Sequence, residues 1–139
     1  MGFNQKSWIE NYVQSLCPLK ITHEKVDEEI KNIVNLMNEL FSGQNISKQV
    51  EFVEGNNLII FPGRKSNIFI VYSVDEKNNE LKIVRHKKPD LNSEIDRATL
   101  INCKVEQYLV QDEPSITMDE ITFDNLNEAI NCAFSRILN

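Results

Sequence analysis

Two short basic runs interrupt a chain that is otherwise acidic. Arg64-Lys65 follows a Pro-Gly pair, and Arg85-His86-Lys87-Lys88 closes an apolar segment, in 139 residues of formal net charge -6. Guanidinium and ammonium groups gathered in one place bind carboxylates, phosphates or nucleic acid. Lysine at a sheet edge also discourages edge-to-edge aggregation, so a basic run is not by itself a site.

The other chemistry-bearing residues form weaker patterns. His23 and Asp27 lie one helical turn apart in His23-Glu24-Lys25-Val26-Asp27. This is half of a zinc-binding helix, but the second histidine and a third ligand are missing. A helix start enriched in acids accounts for it better. Asp112, Glu113, Asp119 and Glu120 lack the ligand alternation and glycine of a calcium loop and read as a solvated segment. Cys17, Cys103 and Cys132 are widely separated, form no CxxC pair and point to free thiols. Cys103 and Cys132 fall on presumed core faces, and nothing positions Cys17 against His23 as a nucleophile–base pair. Of the four glycines, one is terminal, Gly43 reads as a helix stop, and Gly55 and Gly63 sit in turns. No glycine-rich loop is left to cradle a nucleotide phosphate. No metal or other cofactor is expected, and the residues point away from an enzyme.

The elements that must position the basic runs can be read from periodicity. Trp8, Ile9, Tyr12, Val13 and Leu16 recur at helical spacing, and Pro18 ends that helix. Thr22 is the N-cap of a helix over 22–42, with Val26, Ile30, Ile33, Val34, Met37, Leu40 and Phe41 as its apolar stripe. Strands are expected at 46–53, 58–61, 68–74, 81–88 and 100–110, the last with Ile101, Cys103, Val105 and Leu109 inward. Residues 89–98 read as a loop or a short helix capped by Ser93. Thr122 or Asp124 starts a last helix carrying Phe123, Leu126, Ile130, Phe134 and Ile137 on its core face. Trp8, Tyr12 and Phe134 read as core rather than as a base-stacking platform.

The fold class that follows is α+β: one domain over 1–139, with an antiparallel meander of about five strands, two N-terminal helices and one C-terminal helix packed on it. The segments 58–61 and 68–74 are apolar on both faces, so both faces want cover. The helix over 22–42 covers one. The C-terminal helix or a partner chain must cover the other.

In this meander the hairpin at 75–79 brings the next strand back toward residues 62–66. Val74 then faces Leu81, Ile70 faces Arg85, and Arg85, His86, Lys87 and Lys88 gather beside Arg64 and Lys65. Phe61-Pro62-Gly63-Arg64 suits a type II turn, with positive φ at Gly63.

Composition narrows the function classes. A hydrophobic fraction of 41% and a charged fraction of 26% are ordinary for a globular chain. No segment approaches the roughly 20 apolar residues that a membrane helix needs. No signal peptide is read at the N-terminus, and the cysteine usage suggests the cytoplasm. The expectation is a small protein-binding module of the regulator, inhibitor or immunity type. Its partner is another protein, or a second copy through a sheet face. Binding of nucleic acid or a phosphorylated ligand through the basic patch is the alternative, disfavoured as a general coat by the acidic balance.

Overall fold

The computed structural model describes residues 4–16, 19–86, 95–104, 107–113 and 121–139. Helix α1 spans Gln5–Leu16 and α2 spans His23–Gly43. Seven strands follow among the described residues: β1 Glu51–Val53, β2 Leu58–Phe61, β3 Ile68–Asp75, β4 Glu80–His86, β5 Ile95–Lys104, β6 Gln107–Glu113 and β7 Ile121–Phe123. Helix α3, Leu126–Leu138, closes the chain. The class is α+β, and the sheet is an antiparallel meander in the order β1 to β7.

The count of seven rather than five has two causes. The segment expected as one strand over 100–110 is a hairpin, in which Ile101 pairs with Val110 and Cys103 with Tyr108. Successive side chains of a strand alternate faces, so a single strand would put Ile101 and Leu109 on the same side. The hairpin changes the parity: Tyr108 and Val110 join Ile101 on the core face, and Leu109 lies opposite. The second cause is β7, which pairs with β6 through Tyr108–Phe123 and Val110–Ile121. Helix α3 therefore starts later than expected, with the Asn125 side chain accepting from the Asn127 and Glu128 backbone N–H groups. At the other edge, regular pairing begins only at Glu51, opposite Ile60. Val50 before it is tied to α2, donating its N–H to Asn38 Oδ1 at 2.7 Å and accepting from Asn38 Nδ2 at 3.2 Å.

The central helix forms as its sequence demands. Thr22 Oγ1 accepts from the Lys25 N–H, and Val26, Ile30 and Val34 are buried. Ile33, Met37 and Phe41 pack partly against the same core, but Leu36 and Leu40 are 58% and 56% exposed. Gly43 is the last helical residue rather than the left-handed stop. That conformation falls to Asn45, at φ 58°, and the Ile46 N–H closes the end on the Phe41 carbonyl. Trp8 and Tyr12 of α1 are 50% and 60% exposed, so they are not core.

One sheet face carries Ile59, Ile70, Tyr72, Leu81, Ile83, Ile101 and Val110, each at most 1% exposed, beneath α2 and α3. Helix α3 lies beside α2 on this face and does not cover the second one. Phe134 meets Phe61 with ring centroids 6.0 Å apart, and Asn131 Nδ2 donates to Glu29 of α2. The opposite face presents Leu58, Ile60, Phe69, Val71, Val84 and Leu100, all half-buried, with Ala98 and Leu109 buried.

The two packed helices run in the same direction. Helix α2 starts at the 75–79 turn, where the His23 N–H donates to Glu76 Oε1 at 2.9 Å and the Ile21 N–H to Asn79 Oδ1. The first turns of α2 and the start of α3 line one cavity, with Lys25, Glu28, Asp124 and Asn125 on its walls. Both helices end at the 62–67 end of the sheet. No helix among the described residues is long and apolar enough to cross a membrane.

Candidate functional site

The meander builds the register that the candidate patch requires. Val74 pairs with Leu81, Ile70 with Arg85 and Phe69 with His86. Arg64, Lys65, Arg85 and His86 line a single cavity of about 390 Å³, together with Ser66, Asn67 and Asp96. Lys87 and Lys88 lie outside the described residues, as do Cys17, Asp119, Glu120 and the 89–94 part of the expected loop.

The loop that carries Arg64 and Lys65 is not held by a type II turn. No glycine among the described residues has positive φ. Gly63 is required for a different reason: a Cβ there would overlap the Ser66 carbonyl oxygen. The chain folds back on itself at this point too tightly for any side chain. Lys48 Nζ donates to the Gly63 carbonyl at 3.2 Å and braces the same loop from outside.

The arginines of this end divide by role. Arg85 shares the parity of Leu81 and Ile83 and so faces the helices. Its Nη1 donates to the Ile137 carbonyl at 3.0 Å, and its Nε lies 3.2 Å from Asp96 Oδ2. Arg97, across the ladder, donates to the carbonyls of Arg136 and Asn139. Arg136 bonds Asp112 Oδ2 at 2.6 Å, and Thr99 donates to the other oxygen of that carboxylate. Arg85 and Arg97 thus satisfy the open carbonyls at the C-terminal end of α3, where cations also offset the negative pole of the helix. Arg64 and Lys65 do neither. Both are exposed, and no hydrogen bond or ion pair holds either side chain among the described residues.

Helix poles account for part of the charge pattern. Glu24 and Glu128 lie in the first turns of α2 and α3, and Arg85 and Arg97 lie at the C-terminal end of α3, while Lys25 and Lys77 also stand at the end where the helices begin. Structure accounts for Arg85 and Arg97. It does not account for Arg64 and Lys65.

Asp96 was not legible as a site residue. Arg85 pairs with Arg97 but His86 pairs with Ile95, so Asp96 is the extra residue of a β-bulge. A bulge re-aims side chains, and this one delivers the Asp96 carboxylate to Arg85 and the cavity. The register shift between β4 and β5, which no local pattern in the sequence marks, creates that geometry.

His23 and Asp27 share a helix face as their spacing requires, but they serve a structural contact. His23 Nδ1 is 2.9 Å from Asp27 Oδ2, its Nε2 is 3.2 Å from Asn57 Oδ1, and the Tyr72 hydroxyl donates to Asp27 Oδ1 at 2.5 Å. The group ties the start of α2 to β3 and to the turn at Asn57. No set of three or more metal-ligating residues gathers among the described residues. Burial pushes the Cys103 and Cys132 thiols up, which keeps them protonated and poorly nucleophilic at neutral pH.

Tyr72 yields a pH prediction. Burial first, and the Asp27 hydrogen bond second, raise its phenol far above the ordinary value. The folded state therefore holds this proton more tightly than the unfolded chain does. Its contribution is complete below the unfolded phenol's pKa of about 10 and is lost as pH rises beyond it. Stability measured by denaturant titration should fall between about pH 10 and 11, and Tyr72→Phe should flatten part of that fall. An unchanged slope in the variant would contradict the assignment. Compared with known proteins, the chain matches no family model, no curated protein and no solved structure.

Proposed function

We propose that this chain is a protein-binding module of the regulator or inhibitor kind, which docks an acidic surface of its partner at the 62–68 end of the sheet. One observation carries the reading. Arg64 stands exposed and unengaged on a braced loop, whereas Arg85, Arg97 and Arg136 are all engaged by the protein's own oxygens. Arginine is over-represented at protein interfaces and among the residues that dominate binding energy. A loop whose backbone is already fixed loses little entropy on docking. The net charge of -6 weighs against a nucleic-acid backbone, which carries anions along its whole length, more than against an acidic patch confined to this end.

Photo-crosslinking tests the reading. A benzophenone side chain is placed at position 66, an exposed and uncharged residue of the cavity wall, and, as control, at position 77 on the opposite end, in extract of the source cells. The expected result is one discrete protein adduct from position 66 and none from position 77. It should disappear with Arg64→Ala and in about 1 M salt, where the Debye length shrinks to roughly 3 Å. A nucleic-acid adduct at position 66, or an adduct indifferent to salt and to Arg64→Ala, would overturn the proposal.

A further inference from the structure

The cavity at the 62–68 end already contains an anion of the protein's own. Asp96 Oδ2 lies 3.2 Å from Arg85 Nε, and the two side chains are 39% and 23% exposed, so solvent and a partner can both reach the pair. Both residues line the cavity with Arg64 and Lys65. The bulge between β4 and β5 is what turns Asp96 toward this end. Arg85 does not need Asp96 for its structural task, because a different nitrogen, Nη1, donates to the Ile137 carbonyl. Removing the carboxylate would leave the end of α3 capped and one guanidinium edge free.

We propose that Asp96 is a built-in competitor: its carboxylate occupies Arg85 in the free protein, and a carboxylate of the acidic partner takes its place in the complex. This rests on the reading of the 62–68 end as the docking site. The exchange replaces one carboxylate by another at Arg85 and adds the contacts to Arg64 and Lys65, so those two residues supply the net gain. The internal pair also sets specificity. A ligand that offers a single anion displaces Asp96 with little advantage, whereas an acidic segment that reaches Arg64 and Lys65 together gains from both.

A fluorescein-labelled hexaglutamate peptide serves as the probe, with binding read by anisotropy at low salt and folding checked by thermal melts. Asp96→Asn should bind the peptide about two- to fivefold more tightly than the unaltered chain, the range of a partly exposed ion pair. That gain should vanish in an Arg85→Gln background; Arg85→Met, which also removes the charge but keeps an apolar stem, is used if that background does not fold. Glu24→Gln removes the same charge at the far end and should give no gain. Equal gains from Asp96→Asn and Glu24→Gln would reduce the effect to net charge and overturn the competitor role. If Asp96→Asn gives no gain while Arg64→Ala weakens binding, the docking site stands and the competitor falls. If Arg64→Ala also leaves peptide binding unchanged, the docking site falls with it. Tighter binding of a single-stranded oligothymidylate than of the peptide would overturn the choice of an acidic protein as partner.

Discussion

Phe134→Ala is expected to lower the free energy of unfolding by about 3–5 kcal/mol, the range for removing a buried aromatic ring. The side chain is 3% exposed, and its ring packs at 52° against Phe61 on the sheet. Tilted aromatic contacts of this kind add to the area buried. The neighbours cannot easily fill the gap. Ala129 and Ala133 are already small, and Ile130 and Ile137 are fixed against the sheet at 0% and 1% exposure. Denaturant titration with an unchanged m-value is the measurement. A loss under about 1 kcal/mol would remove α3 from the core face, because surface changes stay within about 0.5 kcal/mol. A chain ended before α3 should fail to fold, since Leu126, Ile130, Phe134 and Ile137 leave the core together.

The elements that a sequence reveals best are those whose own periodicity meets a single large surface. Helix α2 is the example: Thr22 caps it, and Val26, Ile30 and Val34 are buried as their spacing requires. The reading fails at Leu40 because burial declines along the helix, from 0% at Val26 to 7% at Val34. Its last turns lie at the margin of the sheet, where Asn38 bonds Val50 just before the three-residue edge strand β1. The β5–β6 hairpin was illegible for another reason. Lys104-Val105-Glu106-Gln107 contains no Gly, Pro, Asn or Asp to mark a turn, and both flanks have strand composition. Strand β7 is three residues long and borders a helix whose apolar residues are continuous with its own, so the sequence around Phe123 looks helical.

The site was legible to the extent that it depends on local register. A tight hairpin at 75–79 fixes Ile70 opposite Arg85 whatever the rest of the chain does. What Arg85 does there was not legible, because its partners are 11 and 52 residues away in sequence, at Asp96 and Ile137. A run of basic residues in one-letter code looks uniform. In the fold, Arg85 is a helix cap with a carboxylate at its other edge, and Arg64 is held by neither. The difference arises from which carbonyls α3 leaves open, and that depends on where a helix that begins 41 residues after Arg85 packs.

Gly63→Ala is the second large effect expected, a loss of roughly 1–3 kcal/mol, as for overpacking at a site that cannot relax. The added Cβ would overlap the Ser66 carbonyl oxygen, which is backbone and cannot rotate away as a side-chain tip could. Ile68, the first residue of β3, is the next neighbour, so the strain passes directly into the sheet. The substitution also separates two accounts of this loop. A type II turn would place Gly63 at positive φ, where a D-alanine introduced by semisynthesis fits without cost. Here φ is not positive, so the gain in stability that D-alanine brings to a type II turn is not expected. Thermal melts in which Gly63→Ala destabilises and D-alanine brings no gain support a close approach of backbone to backbone; a D-alanine chain more stable than the glycine chain would restore the type II turn. The docking end gives an independent readout. Any shift that relieves Gly63→Ala moves Arg64 and Lys65, which follow it directly, and loosens the Lys48 bond to the Gly63 carbonyl. Affinity for the hexaglutamate probe should therefore fall in Gly63→Ala at temperatures where the variant is still fully folded. Unchanged affinity there would mean that the loop can reshape without moving its two cations, and that its rigidity has no part in binding.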